Sequence, residues 1–181
     1  MSTVSAKASN TLGWLKKAFT SRDPYVWNKL YTTYVRPPFE FAVPVWNPYS
    51  IGDIAKLEKV QRKATKIPHN MKGLKYEDRL KELGLTTLEA RRVRGDCIQM
   101  YKINKGLDEL NWHSGPIPGP TTERPVRVVN RRLKREIVNC DRRHHFFTNR
   151  IVGDWNVLPE SVVNAGSVNS FKAKYDQIRN A

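Results

Sequence analysis

Apolar and charged residues alternate with helical periodicity along much of the chain, most regularly between Asp53 and Lys66. On a helix of 3.6 residues per turn, the apolar residues of this stretch share one stripe: Ile54, Leu57, Val60, Ala64 and Ile67. The basic residues fall on the opposite side or beside it: Lys56, Lys59, Arg62, Lys63 and Lys66. Asp53 is the expected N-cap, and Pro68 ends the pattern. The stretch predicts a helix whose positive face is either ordinary solvated surface or a surface that meets an anion.

The same periodicity predicts helices on the N-terminal side of this stretch. A first amphipathic helix is expected from Val4 to Phe19, and Asp23-Pro24 is typical of the start of a second. The pair Pro37-Pro38 is expected to stop the second helix. The apolar segment that follows, Phe39 to Trp46, predicts either a short buried helix or a kinked pair of turns.

Two further helices are predicted before a break in composition. Tyr76 to Leu83 fits a short helix that ends at Gly84. Thr86-x-x-Glu89 fits a capping box at the start of a long helix, and Cys97 lies on the apolar stripe of that helix. Residues 107–125 are rich in glycine and proline and read as a linker.

The last section of the chain, residues 126–181, contains patterns typical of strands as well as of helices. Two short strands are predicted on either side of a basic run: one at Val126, Val128 and Val129, the other at Ile137 and Val138. Helices are predicted from Phe146 to Trp155, after Leu158-Pro159, and from a cap at Ser167. We therefore expect a mainly α protein, with a helical bundle over residues 1–106, a linker over 107–125 and a small α+β or helical C-terminal unit over 126–181.

Composition narrows the function classes. The 181 residues carry 32 Lys and Arg against 17 Asp and Glu, which gives a formal net charge of +15. Such a field attracts nucleic acid or an anionic membrane surface. Apolar runs are too short for a membrane span, and the N-terminus lacks the apolar core of a secretory signal. With only 2 cysteines, a disulfide framework is not expected, so we expect an intracellular, cytoplasmic or nuclear location.

Candidate catalytic and metal sites are weak. Two-metal polymerases need converging carboxylates, but the acid pairs Glu77-Asp78 and Asp108-Glu109 fall at a helix start and at the start of the linker. Cys140, His144 and His145 are too few for a structural zinc site, which needs four ligands. The two histidines are alternatively placed to face phosphate, beside two arginines. We expect no catalytic residues, no metal and no cofactor.

Clusters of basic residues interleaved with aromatic ones favour a surface that tracks phosphates and stacks bases. Trp46 and Trp155 stand in apolar surroundings and are interpreted as structural. The predicted nucleic-acid-binding residues are Lys56, Lys59, Arg62, Lys63, Lys66, Arg91, Arg92, Arg94, Arg131, Arg132, Lys134, Arg135, Arg142 and Arg143.

Four long motifs, in the same order, resemble the region that follows the polymerase palm in reverse transcriptases of jockey-like non-LTR retrotransposons (LINE-type). They are LYTTYVRPPFEFAVPVWNPY from Leu30, DIAKLEKVQRKATK from Asp53, YEDRLKELGLTTLEARRVRGDCIQMYKINKG from Tyr76 and FFTNRIVGDWNVLPESVVNAGSVNSFK from Phe146. The resemblance covers roughly Ala6 to Tyr175. It is interrupted near Ile67-Pro68, where this sequence is shorter, and in the linker.

The resemblance implies a helical thumb that grips a template–primer duplex, followed by a region that helps to hold the element's RNA. It also implies that the palm and the endonuclease lie outside this chain, as expected for a truncated copy or a domesticated remnant. The expected function is binding of RNA or an RNA–DNA hybrid without polymerase catalysis. The resemblance also implies the missing polymerase portion of the parent element as a further partner. No membrane partner and no small-molecule substrate are expected. The alternative is a protein-interaction or structural module whose charge only solvates it, and a membrane-surface binder has only the charge in its favour.

Overall fold

The computed structural model describes residues 2–112, 115–119 and 132–180, which are mainly α-helical. Contacts group the chain into two compact units, Met1–Arg92 and Val93–Ala181. This division differs from the predicted one at residue 106, because the side chains of Cys97, Met100 and Tyr101 lie in the core of the second unit. Among the described residues, no helix is both long and apolar enough to cross a membrane.

The first unit is a set of helices packed around one core. Its elements are α1 (Ser2–Ala18), α2 (Pro24–Leu30), a π-helical turn (Tyr31–Val35), α3 (Pro37–Glu40), α4 (Val43–Trp46), α5 (Ile51–Ala64), α6 (Tyr76–Glu82) and the start of α7 (Leu88–Asn104). The core is built from apolar side chains of α1, α2, the π turn, α3, α5 and the start of α7: Ala8, Leu12, Trp27, Tyr31, Val35, Phe39, Leu57, Val60, Ala64 and Leu88.

Several predicted helix ends are confirmed. The carboxylate of Asp23 accepts the backbone N–H of Val26 at 3.0 Å, and Pro24 is the first helical residue. Gly84 follows α6 with a positive φ of 60°, a conformation that glycine adopts without steric cost. In the second unit, the hydroxyl of Ser167 accepts the N–H of Ser170 at 3.2 Å.

Other predicted ends are corrected by one to three residues. α5 begins at Ile51, so Asp53 lies in its first turn instead of capping it. The capping residue of α7 is Thr87 in place of Thr86, because the Thr87 hydroxyl accepts the N–H of Ala90 at 3.1 Å. The Thr86 carbonyl is used elsewhere, by the side-chain amide of Gln61.

The proline-rich segment after the π turn forms two short helices. Pro37-Pro38 was expected only to end the preceding helix, but Pro37 is also the first residue of α3. Proline is tolerated in a first helical turn. Ala42, with a left-handed φ of 50°, separates α3 from α4. Of the two predicted alternatives, the segment therefore follows the kinked pair of turns. Phe39 and Val43 are buried, whereas Phe41 and Val45 are exposed, so the segment is only half buried.

The second unit contains the rest of α7, a two-stranded ribbon and four helices. The ribbon pairs β1 (Ile117–Pro118) with β2 (Leu133–Lys134) in antiparallel fashion, and the helices are α8 (Asp141–His144), α9 (Phe147–Asn156), α10 (Glu160–Val163) and α11 (Val168–Asn180). The strand predicted at Ile137 and Val138 does not form. Its partner predicted at Val126 to Val129 lies outside the described residues, as do residues 113–114 and 120–125 of the predicted linker.

Aromatic rings fill the second core. The ring of Tyr101 stacks on Phe171 at a centroid distance of 4.5 Å, and its hydroxyl donates to the carbonyl of Ala165 at 2.6 Å. Trp155 is 2% exposed, which confirms the structural interpretation of this residue. Trp112, within the predicted linker, packs against this core 6.4 Å from Phe147, so the linker is in part structured.

Candidate nucleic-acid interface

Helix α5 presents a row of exposed lysines, as its periodicity predicts. Lys56, Lys59 and Lys63 are exposed on the helix, and Lys66 is exposed just after it. We call these four residues the lysine ridge. Lys56 pairs with Asp53 at 2.9 Å, but its side chain is still 63% exposed. Across the described ranges 2–112, 115–119 and 132–180, the other three ridge lysines make no ion pair.

The opposite face of α5 holds the ridge in place. Leu57, Val60 and Ala64 enter the first core, as predicted. This face also contains two buried polar residues that the apolar pattern does not reveal, Glu58 and Gln61. Because their hydrogen bonds come from other helices, α5 is fixed in rotation as well as in position.

Gln61 is the centre of this buried polar network. Its side-chain oxygen accepts the Tyr31 hydroxyl at 2.5 Å, and its amide donates to the Tyr76 oxygen and to the Thr86 carbonyl, both at 2.9 Å. Tyr76 in turn donates to the carboxylate of Glu58. Burial raises the pKa of Tyr31 and of Tyr76 well above the usual tyrosine value. For Tyr76 the hydrogen bond to Glu58 raises the pKa further.

Arg62 lies beside the ridge and is exposed, but its guanidinium stands over the ring of Tyr76, 4.0 Å from the centroid. Cations are attracted to the face of an aromatic ring, so this contact holds the arginine side chain along the surface. Arg62 therefore adds positive charge next to the ridge with a restricted orientation.

The C-terminal end of the ridge borders a concave site of about 730 Å³ within the first unit. Its walls come from α1, from Arg22 in the segment after α1, from the end of α5 and from the residues that follow α5. We call it the basic groove, because the charged or titratable side chains that line it are Lys16, Arg22, Lys63, Lys66, His69 and Lys72, with no carboxylate among its lining residues. Sequence reasoning missed Lys16, Arg22, His69 and Lys72, and only the pair Lys16-Lys17 at the end of a helix gave any signal.

The three arginines of α7 that were predicted to bind nucleic acid make contacts within the protein, and Arg92 is buried. Arg92 is 1% exposed, and its Nε donates to the side chain of Asn47 at 2.9 Å. Arg91 donates to both carboxylate oxygens of Glu40 at 2.8 and 3.0 Å.

Arg94, the third arginine of this cluster, makes a bidentate pair of its own. It donates to both oxygens of Asp176 at 2.6 and 2.7 Å. Each of the three guanidinium groups thus has a partner inside its own unit, and none of them is as exposed as the ridge lysines.

The predicted nucleic-acid-binding residues near the C-terminus differ in exposure. Arg132, Lys134, Arg135 and Arg142 are exposed, whereas Arg131 lies outside the described residues. Arg143 is half-buried, pairs with Glu136 at 2.5 Å and stands over the ring of Phe146. The four exposed cations belong to the second unit and keep their predicted role as candidates.

The acidic pairs and the histidines do not converge on a site. Glu77 and Asp78 occupy the exposed first turn of α6, where carboxylates favour the helix dipole. Asp108 pairs with Lys102 at 3.6 Å and accepts the side chain of Gln99. Among the described residues, no three or more His, Cys, Asp or Glu side chains are grouped to hold a metal ion.

The chain matches no protein-family model, no curated protein and no solved structure.

Proposed function

We propose that the chain binds RNA or an RNA–DNA hybrid through the phosphates, along the lysine ridge, and carries out no polymerase reaction of its own. The observation that carries this proposal is the ridge itself: four exposed lysines at one side of α5, three of them without an ion pair among the described residues. Like charges at this spacing repel one another, and a bound polyanion removes that repulsion.

The resemblance to the thumb region of jockey-like reverse transcriptases supports the same assignment, since that region grips the template–primer duplex. The net charge of +15 supports it independently, because a field of this sign steers nucleic acid towards the surface. A cytoplasmic or nuclear place of action, where RNA and hybrids occur, is part of this proposal. A primer-extension assay with magnesium and with manganese is expected to show no extension.

The decisive experiment compares two variants that lose the same charge. The ridge variant changes Lys56, Lys59, Lys63 and Lys66 to Gln, which keeps helix propensity. The control variant changes four exposed lysines of the same unit outside the ridge and groove to Gln: Lys7, Lys29, Lys75 and Lys81. Binding of both variants and of the parent to a hybrid duplex is measured by fluorescence anisotropy at several salt concentrations.

We expect the ridge variant to melt at the parent's temperature or slightly higher and to bind more weakly. Its slope of log affinity against log salt should be shallower by about 0.9 for each phosphate that a ridge lysine neutralises in the parent, the value for a B-form duplex. The slope of the control should change by less than about one unit. If the ridge variant keeps the parent's affinity and slope, the ridge is ordinary solvated surface and the proposal fails.

A second candidate, a protein-interaction module, is favoured by exposed apolar side chains of the first unit. Phe41, Val45 and Ile51 are 79%, 84% and 85% exposed and lie within eleven residues of one another in the sequence. Salt separates the two candidates, because phosphate binding weakens steeply with ionic strength whereas an apolar interface does not.

A further inference from the structure

The basic groove combines positive walls with an open, partly apolar floor. Lys63 and Lys66 belong both to the ridge and to the groove, so the two surfaces are continuous. Lys16 and Lys72 add charge to the groove from α1 and from the turn after α5, and no ion pair occupies either of them within the described part of the chain. Leu12 and Ile67 supply apolar surface between these cations.

Gly13 lines the groove. It lies inside α1, where glycine costs about 0.5–1 kcal/mol relative to alanine. A Cβ atom at this position would meet no heavy atom within 4 Å, so no packing requirement explains the glycine. A long side chain at position 13 would instead enter the groove, since Gly13 is one of its lining residues.

We propose that the basic groove binds an unpaired nucleic-acid strand that continues from the duplex held on the ridge. This inference rests on the proposed function. A volume of about 730 Å³ lies within the range of pockets that enclose small organic ligands, which suits a short stretch of one strand. A rigid duplex cannot enter a concavity between two walls, whereas a flexible single strand can follow it.

The chemistry of the lining fits such a strand. Grooves for single strands pair cations along the backbone with surfaces on which bases rest. Lys16, Lys63 and Lys72 come from three different segments of the chain and place positive charge on more than one side of the groove. The apolar floor and the exposed ring of His69 are available to the bases and sugars.

The test places a charge in the groove and changes no residue of the ridge. Gly13→Glu adds a carboxylate, and Gly13→Gln adds a neutral side chain of the same size as the control. Because the position is helical and open, both should fold, which a thermal melt verifies. A second variant, Lys16→Gln with Lys72→Gln, removes charge at exposed positions and does not depend on the glycine.

Three probes are measured by anisotropy: a blunt RNA–DNA hybrid, the same hybrid with a single-stranded RNA overhang, and a single-stranded RNA. Gly13→Glu and the double lysine variant are expected to weaken binding of the overhang and single-strand probes at least fivefold. Binding of the blunt hybrid should stay within twofold, and Gly13→Gln should stay within twofold on all probes.

Other outcomes overturn the inference without touching the proposed function. If both variants bind the overhang probe as the parent does, the groove is not used. If they weaken the blunt hybrid equally, the groove contacts duplex. Competition by a nucleoside monophosphate at millimolar concentration would reassign the groove to a free nucleotide. Failure of the proposed function itself would appear only in the ridge variant on the blunt hybrid.

Discussion

The carboxylate of Glu58 accepts the backbone N–H of Leu88 at 3.1 Å, a contact between residues 30 positions apart. Leu88 is the first residue of α7, where backbone N–H groups lack a partner within the helix. The same carboxylate accepts the hydroxyl of Tyr76. One buried side chain of α5 thus holds α6 and α7 while the lysines of α5 face outward.

Glu58→Ala is expected to destabilise the protein by about 2–3 kcal/mol, because it leaves the Leu88 N–H and the Tyr76 hydroxyl without this acceptor. Glu58→Gln keeps one oxygen acceptor and should be less destabilising. Urea unfolding followed by circular dichroism measures both variants. An alanine variant that unfolds at the parent's urea concentration would show that the two donors find other partners.

The lysine ridge was predictable because helical periodicity is local. Leu57 and Val60 indicated the buried side of α5, and Lys59 and Lys63 had to lie opposite. The burial of Glu58 was not predictable in this way, since it depends on partners from distant segments. Charge alone cannot distinguish a surface glutamate from one that caps another helix.

The same limit explains the arginines of α7. Arg91, Arg92 and Arg94 are close in sequence and suggested one basic surface, but their partners are 51, 45 and 82 residues away. The groove was missed for the converse reason. Lys16 and Lys72 are far apart in sequence, and only the fold brings them to one concavity.

The two cysteines are expected to differ sharply towards a thiol-reactive disulfide reagent at pH 8. Cys140 is exposed, whereas Cys97 is buried. Burial, together with the charge of Asp154, raises the pKa of Cys97 to about 12, so its reactive thiolate is scarce at pH 8. One thiol should react quickly in the native protein and two in denaturant. Cys140→Ser should abolish the fast reaction, and Cys97→Ser should preserve it; the reverse would contradict the burial of Cys97.

The two tryptophans interpreted as structural are expected to differ in importance. Trp155 is almost fully buried, so Trp155→Ala should cost about 3–5 kcal/mol. Trp46 packs against the first core but is only half-buried, and Trp46→Ala should cost about 1–2 kcal/mol. Chemical unfolding of both variants tests the order. If the Trp155 variant unfolds at the same denaturant concentration as the parent, this ring does not support the core.

Arg94 provides the sharpest separation between a structural cation and a phosphate-binding one. It is bound to both carboxylate oxygens of Asp176, at 2.6 and 2.7 Å, and its side chain is 19% exposed. We expect Arg94→Gln to lower stability by about 1 kcal/mol, which for a chain of this size lowers the melting temperature by about 2–4 °C. Its affinity for a hybrid duplex and the salt slope should match the parent's. Lys63→Gln should leave the melting temperature unchanged and make the salt slope shallower by about 0.9, the value for a B-form duplex.

Asp176→Asn completes the comparison, because it frees Arg94 from its partner without removing the charge of the arginine. If Arg94 served phosphate binding, the Asp176 variant would bind the duplex more tightly; equal or weaker binding, together with a lowered melting temperature, is the result expected of a structural pair.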